Sequence, residues 1–214
     1  VRLAKPRLIV LDFDGVLLDT ERIAVEEWQR ILHRERVDLP APLPVRTDAT
    51  LDRGALGARL ISLLGKRRSD GLWEEFEREN RRRADEEPLL PGVAAFLDAC
   101  RREGRVLALA SGNSRDWVEG HLDRLGVREH FAAVTCAGPD IAAKPAPDAY
   151  RAVLRECGAA PGTALAVEDS FAGLLAARAA GLPVVWVTSC PPGVPAPTEV
   201  ESRVRDLGEL AFAA

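Results

Sequence analysis

The chain has 214 residues, 47% hydrophobic and 29% charged, which suits one large domain or two small ones and excludes disorder or a collagen-like repeat as a description of the whole. Its 29 basic residues stand against 33 acidic ones, a formal net charge of -4, so neither nucleic acid nor an anionic membrane is favoured as a partner. An anionic ligand would need a local positive site against this mild acidic field.

The start, Val-Arg-Leu-Ala-Lys-Pro, carries no apolar signal core, and the chain contains no Met, so its initiator is expected to lie outside this sequence. The first apolar run is Leu8-Ile9-Val10-Leu11. It does not alternate with polar residues, which predicts a strand buried on both faces of a parallel sheet. Residues 20–91 break the pattern. Ala24, Trp28, Ile31 and Leu32 mark one amphipathic helix, Leu56, Leu60, Leu63 and Leu64 a second, and Leu72, Trp73 and Phe76 begin a third that runs into the charged segment 78–87. Pro40, Pro42 and Pro44 separate the first two, and Pro88 and Pro91 close the segment. An insertion after a parallel strand lies over the edge where such sheets bind ligands, which suggests a lid.

From Val93 onward strands and helices alternate. Val93, Phe96, Leu97 and Cys100 share a helix face ended by Gly104, and Val106-Leu107-Ala108-Leu109-Ala110 follows as a strand. Val118, Leu122 and Leu125 end at Gly126, before the weaker strand Phe131-Ala132-Ala133-Val134. A helix with Val153 and Leu154 ends at Gly158, before Ala164-Leu165-Ala166-Val167. Leu174, Leu175 and Ala179 end at Gly181, before Val184-Val185-Trp186-Val187, and a Pro-rich surface loop covers 190–197. The expected fold is α/β: a Rossmann-like parallel sheet core, residues 1–19 and 92–214, with an inserted all-helical cap domain, residues 20–91. No apolar run approaches the ~20 residues of a membrane-spanning helix. Cys100, Cys136, Cys157 and Cys190 have no paired or zinc-like spacing and are expected to be reduced packing residues of a cytoplasmic protein.

Chemistry is concentrated at strand ends. Asp12 and Asp14 follow the first strand two residues apart, and Gly15 allows the sharp exit turn. Two like charges so close resist joint ionisation unless a cation joins them, and Mg²⁺ prefers such oxygen ligands. Two loop aspartates with a purely capping role would look the same. Glu168 and Asp169 end a second strand, where either a ligand pair or an N-cap fits. Ser111, Gly112 and Asn113 end a third, where backbone N–H groups at a helix start suit an anion, or form an ordinary capped loop. Lys144 precedes Pro145 and Pro147, which fix its backbone; an exposed lysine is the alternative.

The order of these motifs is more specific than any one of them. Asp-x-Asp-Gly, Ser-Gly-Asn, Lys-Pro-x-Pro-Asp and Glu-Asp-Ser-x-x-Gly resemble the four motifs of the haloacid dehalogenase superfamily across essentially the whole chain. The inserted helices resemble that superfamily's helical cap, as in its β-phosphoglucomutase-like phosphatases. The resemblance implies Asp12 as nucleophile, Asp14 as general acid–base, and Mg²⁺ held by Asp12, the Asp14 carbonyl, Asp169 and Glu168. It implies that Ser111 and Lys144, with Gly112 and Asn113, bind the transferring phosphoryl group of a small phosphorylated substrate. Arg53 would match a cap arginine that contacts substrate. Dehalogenases of the superfamily usually lack the second aspartate, so Asp14 favours phosphoryl transfer to or from oxygen. The β-phosphoglucomutases carry a His where this chain has Ala24, and a cap Lys before Asn where it has Glu79-Asn80. Hydrolysis of a sugar or polyol monophosphate therefore leads, by a monomer or weak dimer. A phosphosugar mutase is the alternative, and a non-catalytic binding member of the fold comes after both. Trp28, Trp73, Trp117 and Trp186 are expected to pack, and His33, His121 and His130 have no metal spacing.

Overall fold

Strand pairing accounts for the unbroken apolar runs. The computed structural model describes residues 2–3, 6–191 and 193–212; Val1, Ala4, Lys5, Pro192, Ala213 and Ala214, all in the expected core segments, lie outside the described residues. After β1 (Arg2–Leu3), the strands are β2 (Leu8–Leu11), β3 (Val106–Ala110), β4 (Phe131–Thr135), β5 (Ala164–Glu168), β6 (Val184–Val187), β7 (Ser202–Val204) and β8 (Ala211–Phe212). β2 to β7 form one sheet in the order β4-β3-β2-β5-β6-β7, every pairing parallel, and β1 pairs with β8 apart from it. The helices are α1 (Thr20–Arg34), α2 (Arg53–Leu64), α3 (Lys66–Ala84), α4 (Val93–Arg102), α5 (Arg115–Arg124), α6 (Asp148–Glu156) and α7 (Phe171–Ala179).

Alternate strand residues enter different layers of core. Ile9, Leu11, Leu107, Leu109, Leu165 and Val167 pack with Phe96 and Leu97 of α4 and Val118 and Leu122 of α5. Leu8, Val10, Ala108, Ala110, Ala164 and Ala166 pack with Tyr150 and Val153 of α6 and Leu174 and Ala177 of α7. Helices thus cover both faces, and the apolar runs carry the α/β fold they predict. β2 lies between β3 and β5, so the chain first builds outward on one side of β2 and then on the other. That reversal is the topological switch point, where such sheets open a crevice at their C-terminal edge.

Two elements depart from the expected pattern. β7 carries half-buried Ser202 and Arg203 on the sheet edge, so no apolar run marks it. α3 begins at Lys66, six residues before its first apolar marker Leu72, because its opening turns are charged and mostly exposed. Among the described residues of 20–91 there is no strand, and one isolated bridge joins Val45 to Leu51.

The chain divides into two compact units, Val1–Leu18 with Pro88–Ala214, and Asp19–Glu87. Residues 88–91 therefore belong with the sheet rather than the helices: Leu89 and Leu90 pack on the sheet core, and the Leu90 N–H donates to the Leu17 carbonyl at 2.8 Å. The helical unit has its own core of Ala24, Trp28, Ile31, Leu56, Leu60, Leu72 and Phe76. Trp28 stacks on Phe76, ring centroids 4.9 Å apart, and meets Trp73 edge-on at 4.6 Å. At its ends, the Arg22 guanidinium bonds Asp19, Glu26 and Glu87 at 2.9, 3.1 and 2.8 Å. All four cysteines are among the described residues, and none forms a disulfide. No described helix is long and apolar enough to cross a membrane.

Phe76 is fully buried in that aromatic cluster. Phe76→Ala is expected to destabilise the helical unit by about 3–5 kcal/mol, with loss of the near-ultraviolet circular dichroism of the tryptophans. Wild-type urea unfolding with an intact near-ultraviolet spectrum would contradict this packing.

Candidate active site

Asp12 follows β2 directly. Its N–H donates to the Val167 carbonyl at 2.9 Å, extending the ladder to β5 by one residue and holding the aspartate at the sheet's C-terminal edge. Glu168 is the last residue of β5, and Asp169 follows it. On the other side of β2, the Ser111 N–H donates to the Thr135 carbonyl at 2.9 Å just past β3. The parallel register thus brings residues from three distant parts of the chain to one edge. Asp12, Glu168 and Ser111 are all buried.

Lys144 arrives from the loop between β4 and α6. Its Nζ donates to Asp12 Oδ1 at 2.6 Å, the Ala110 carbonyl at 2.8 Å and Glu168 Oε1 at 2.5 Å, so its three donors meet three acceptors. The loop behind it is folded on itself, with Ala146 N–H bonded to the Ala143 carbonyl and Ala142 N–H to Asp148 Oδ2. The Tyr150 hydroxyl, on the buried face of α6, donates to the same Glu168 oxygen, and its ring lies 5.4 Å below the ammonium.

Two glycines make room for the acids. Gly15 has φ +71°, and a Cβ there would lie 1.9 Å from Asp169 Oδ2. In α7, a Cβ on Gly173 would lie 2.0 Å from the Glu168 carboxylate, while the Gly173 N–H donates to the Ser170 hydroxyl that caps the helix. The Trp186 indole N–H donates to the Asp169 carbonyl at 2.8 Å, fixing the backbone just after the second acid.

One ammonium serves two buried carboxylates. Burial raises the Asp12 pKa; Lys144 opposes that and the Asp14 charge adds to it. Burial, with Asp12 nearby, pushes Glu168 up to about 7 against the pull of Lys144 and Tyr150. Burial works to lower the Lys144 pKa, but Asp12 and Glu168 together outweigh it, and Lys144 stays protonated well above its ordinary range. Burial and the Glu168 charge also raise Tyr150, keeping its hydroxyl a donor.

Of the residues expected at a metal, the three that would use carboxylates are gathered: Asp12, Glu168 and Asp169 each offer an oxygen within 4.8 Å of the others. The Asp14 side chain turns elsewhere, accepting from Asn113 Nδ2 at 2.7 Å and Trp117 Nε1 at 3.1 Å. Asn113, expected to touch substrate, gives its backbone N–H to Ser111 Oγ at 3.1 Å and its amide to Asp14. Gly112 borders open space. Arg53 lies in the helical unit at the start of α2, 3.3 Å from Glu77 and 5.4 Å above the Phe76 ring. Ala24 is buried in the core of that unit, and Glu79 pairs with Arg82 at 3.1 Å.

Sequence reading missed Tyr150, Trp117 and Trp186 as polar partners. Tyr150 is the chain's single tyrosine and shares its helix face with Val153 and Leu154 just after the lysine loop, which was the available signal. Trp117 stands three residues after the capping Ser114, in the first turn of α5.

A family model described as "Hydrolase: haloacid dehalogenase-like hydrolase" matches residues 6–181. The chain is 30% identical over 212 residues to "Putative phosphatase YhcW" of Bacillus subtilis, covering 97% of this chain and 94% of that protein. It is 28% identical over 191 residues to hexitol phosphatase B of Escherichia coli, covering 83% of each. A crystal structure described as a "putative beta-phosphoglucomutase" from Thermotoga maritima superposes with a TM-score of 0.78 at 25% identity, covering 95% of each chain.

The Glu168 environment is testable through stability alone. Gly173→Ala forces a methyl into its carboxylate and is expected to destabilise by about 1–3 kcal/mol. Tyr150→Phe removes a buried donor from it and is expected to destabilise by about 1–3 kcal/mol. Chemical denaturation reads both; wild-type stability in both variants would place the Glu168 carboxylate elsewhere.

Proposed function

The chain belongs to the haloacid dehalogenase-like hydrolase family and is a phosphatase, and we propose that it hydrolyses a small phosphorylated sugar or polyol through an aspartyl-phosphate on Asp12 with Mg²⁺ as cofactor. The observation that carries this reading is the Lys144 ammonium lodged between Asp12 and Glu168, with Asp14 held two residues beyond the nucleophile. The likeness to hexitol phosphatase B supports the substrate class.

The donor set fits a hard divalent cation: three carboxylates with oxygens within 4.8 Å, two of them buried. Asp12, Glu168 and Asp169 would hold Mg²⁺, with the Asp14 carbonyl. When bound, the ion would offset negative charge on the phosphoryl oxygens and the carboxylates.

The chain's own residues divide the remaining work. Asp12 attacks phosphorus, forming an O–P bond as the bond to the substrate oxygen breaks. Asp14 gives that oxygen its proton, so the product leaves as an alcohol. Asp14 then takes a proton from the water that attacks the phospho-aspartate, and inorganic phosphate departs with Asp12 restored. Lys144 stabilises charge on the transferring group, and Ser111, whose oxygen already accepts from Asn113, turns its hydroxyl hydrogen to a phosphoryl oxygen.

The likeness to a structure described as a β-phosphoglucomutase favours a second reading, a phosphosugar mutase. A mutase must hold a second phosphate and shield its phospho-aspartate from water. Ala24 is apolar and buried and Glu79 is anionic, so neither position offers a phosphate a positive partner. Water is the better-supported acceptor.

Asp12→Asn is expected to abolish both phosphate release and trapped phosphoenzyme, and chelation of the wild type to abolish turnover until Mg²⁺ returns. Full activity in metal-free protein, or phosphate trapped on another residue, would overturn the assignment. Run side by side on β-glucose 1-phosphate with a trace of glucose 1,6-bisphosphate, phosphate release is expected to exceed formation of glucose 6-phosphate. Mutase turnover well above phosphate release would promote the second reading.

A further inference from the structure

Asp14 is gripped at both carboxylate oxygens. Asn113 Nδ2 reaches Oδ2 at 2.7 Å and Trp117 Nε1 reaches Oδ1 at 3.1 Å. Both donors are themselves fixed. The Asn113 backbone is pinned on two sides, its N–H on Ser111 Oγ at 3.1 Å and its carbonyl accepting from Ala137 N–H at 3.0 Å. Trp117 sits in the first turn of α5, where its N–H meets the capping Ser114 hydroxyl at 3.4 Å. Its indole meets His121, one turn on, edge-to-face at 4.7 Å. His121 is buried and stacks at 5.9 Å on Phe13, the residue between Asp12 and Asp14. The indole is therefore braced against the strand end that carries the acids.

An ionised carboxylate has about four acceptor sites. Donors on both of its oxygens restrict rotation of the group. We propose that Trp117 and Asn113 act as a clamp that aims the Asp14 carboxyl at the leaving oxygen, with Trp117 the positioning residue that sequence reading assigns to packing alone. The inference rests on the reading of Asp14 as the general acid–base group. It explains why the first turn of α5 carries an aromatic residue bearing an N–H at a half-buried position, bonded to the first motif.

Leaving-group dependence separates aiming from folding. kcat/KM reports steps up to departure of the leaving group, so it is measured with Mg²⁺ across ring-substituted phenyl phosphates, from phenyl to p-nitrophenyl. A poor leaving group needs a proton from Asp14, and a good one does not. In the wild type the dependence is expected to be shallow. Asp14→Asn is expected to steepen it, with a selective loss of about 10²–10⁴-fold at the phenyl end. Trp117→Phe keeps a ring against His121 but removes the N–H. It is expected to steepen the dependence to a lesser degree, about 10-fold at the phenyl end relative to p-nitrophenyl. Asn113→Leu tests the other arm, at a half-buried site, and is expected to do the same. Equal losses across the whole series in the folded variants, or wild-type slopes, would overturn the clamp. A wild-type slope in Asp14→Asn itself would overturn instead the acid–base reading on which it rests.

Discussion

A protonated lysine lodged between two buried carboxylates is the constraint around which the catalytic unit is organised. Lys144 has its three donors on Asp12, Glu168 and the Ala110 carbonyl, one acceptor from each of three adjacent strand ends. Buried charges are tolerated only when paired and hydrogen-bonded, and removing one partner of such a group strands the others. The lysine therefore acts as an internal counter-ion for β2, β3 and β5 together. It also leaves an excess of negative charge, which is what a site for a hard cation and a phosphoryl group requires. The electrostatic imbalance within the sheet edge and the chemistry done there are one property.

Around this charge cluster the surroundings are shaped by absences as much as by contacts. Gly15 and Gly173 withhold side chains where Asp169 and Glu168 need space. Two tryptophans then give their indole N–H groups, Trp186 to the Asp169 backbone and Trp117 to the Asp14 carboxyl. Each ring is anchored by apolar or stacking contacts, Trp186 beneath the Arg203 guanidinium at 4.4 Å and Trp117 against His121. An aromatic body with a polar tip suits this role, because packing fixes the direction of a single donor.

The sheet was legible because its strands are buried on both faces, so runs such as Leu8–Leu11 and Ala164–Val167 carry no polar interruption. β7 was not, because an edge strand with Ser202 and Arg203 has no such signature. The acids at strand ends were legible for the same reason in reverse, since carboxylates abutting apolar runs call for an explanation. What the sequence could not convey was direction. Asp12 and Asp14 read alike as a pair, yet one side chain faces Lys144 and the other Asn113 and Trp117. Trp117 read as packing, and Tyr150 drew no reading, because periodicity registers a ring on an apolar face and is silent about its hydroxyl or N–H. Arg53 read as a substrate contact, and its guanidinium is engaged by Glu77 and Phe76 within its own unit.

The contacts of Arg22 bear on how such a chain finds its fold. β2 and β3 are neighbours in the sheet, but the whole helical insertion separates them in sequence. Arg22 ties Asp19 to Glu87, the first and last residues of that insertion, and each of these half-exposed ion pairs contributes only about 0–1 kcal/mol. Their larger effect is on chain entropy. A flexible connection loses roughly 0.6 kcal/mol more on closure for each doubling of its length. An insertion that condenses on its own core and clasps its own ends presents the strands with a short tether in place of a long one. The order of events this favours is helices first and central strands second, with Asp12, Lys144 and Glu168 meeting only when the crossover from β4 to β5 closes.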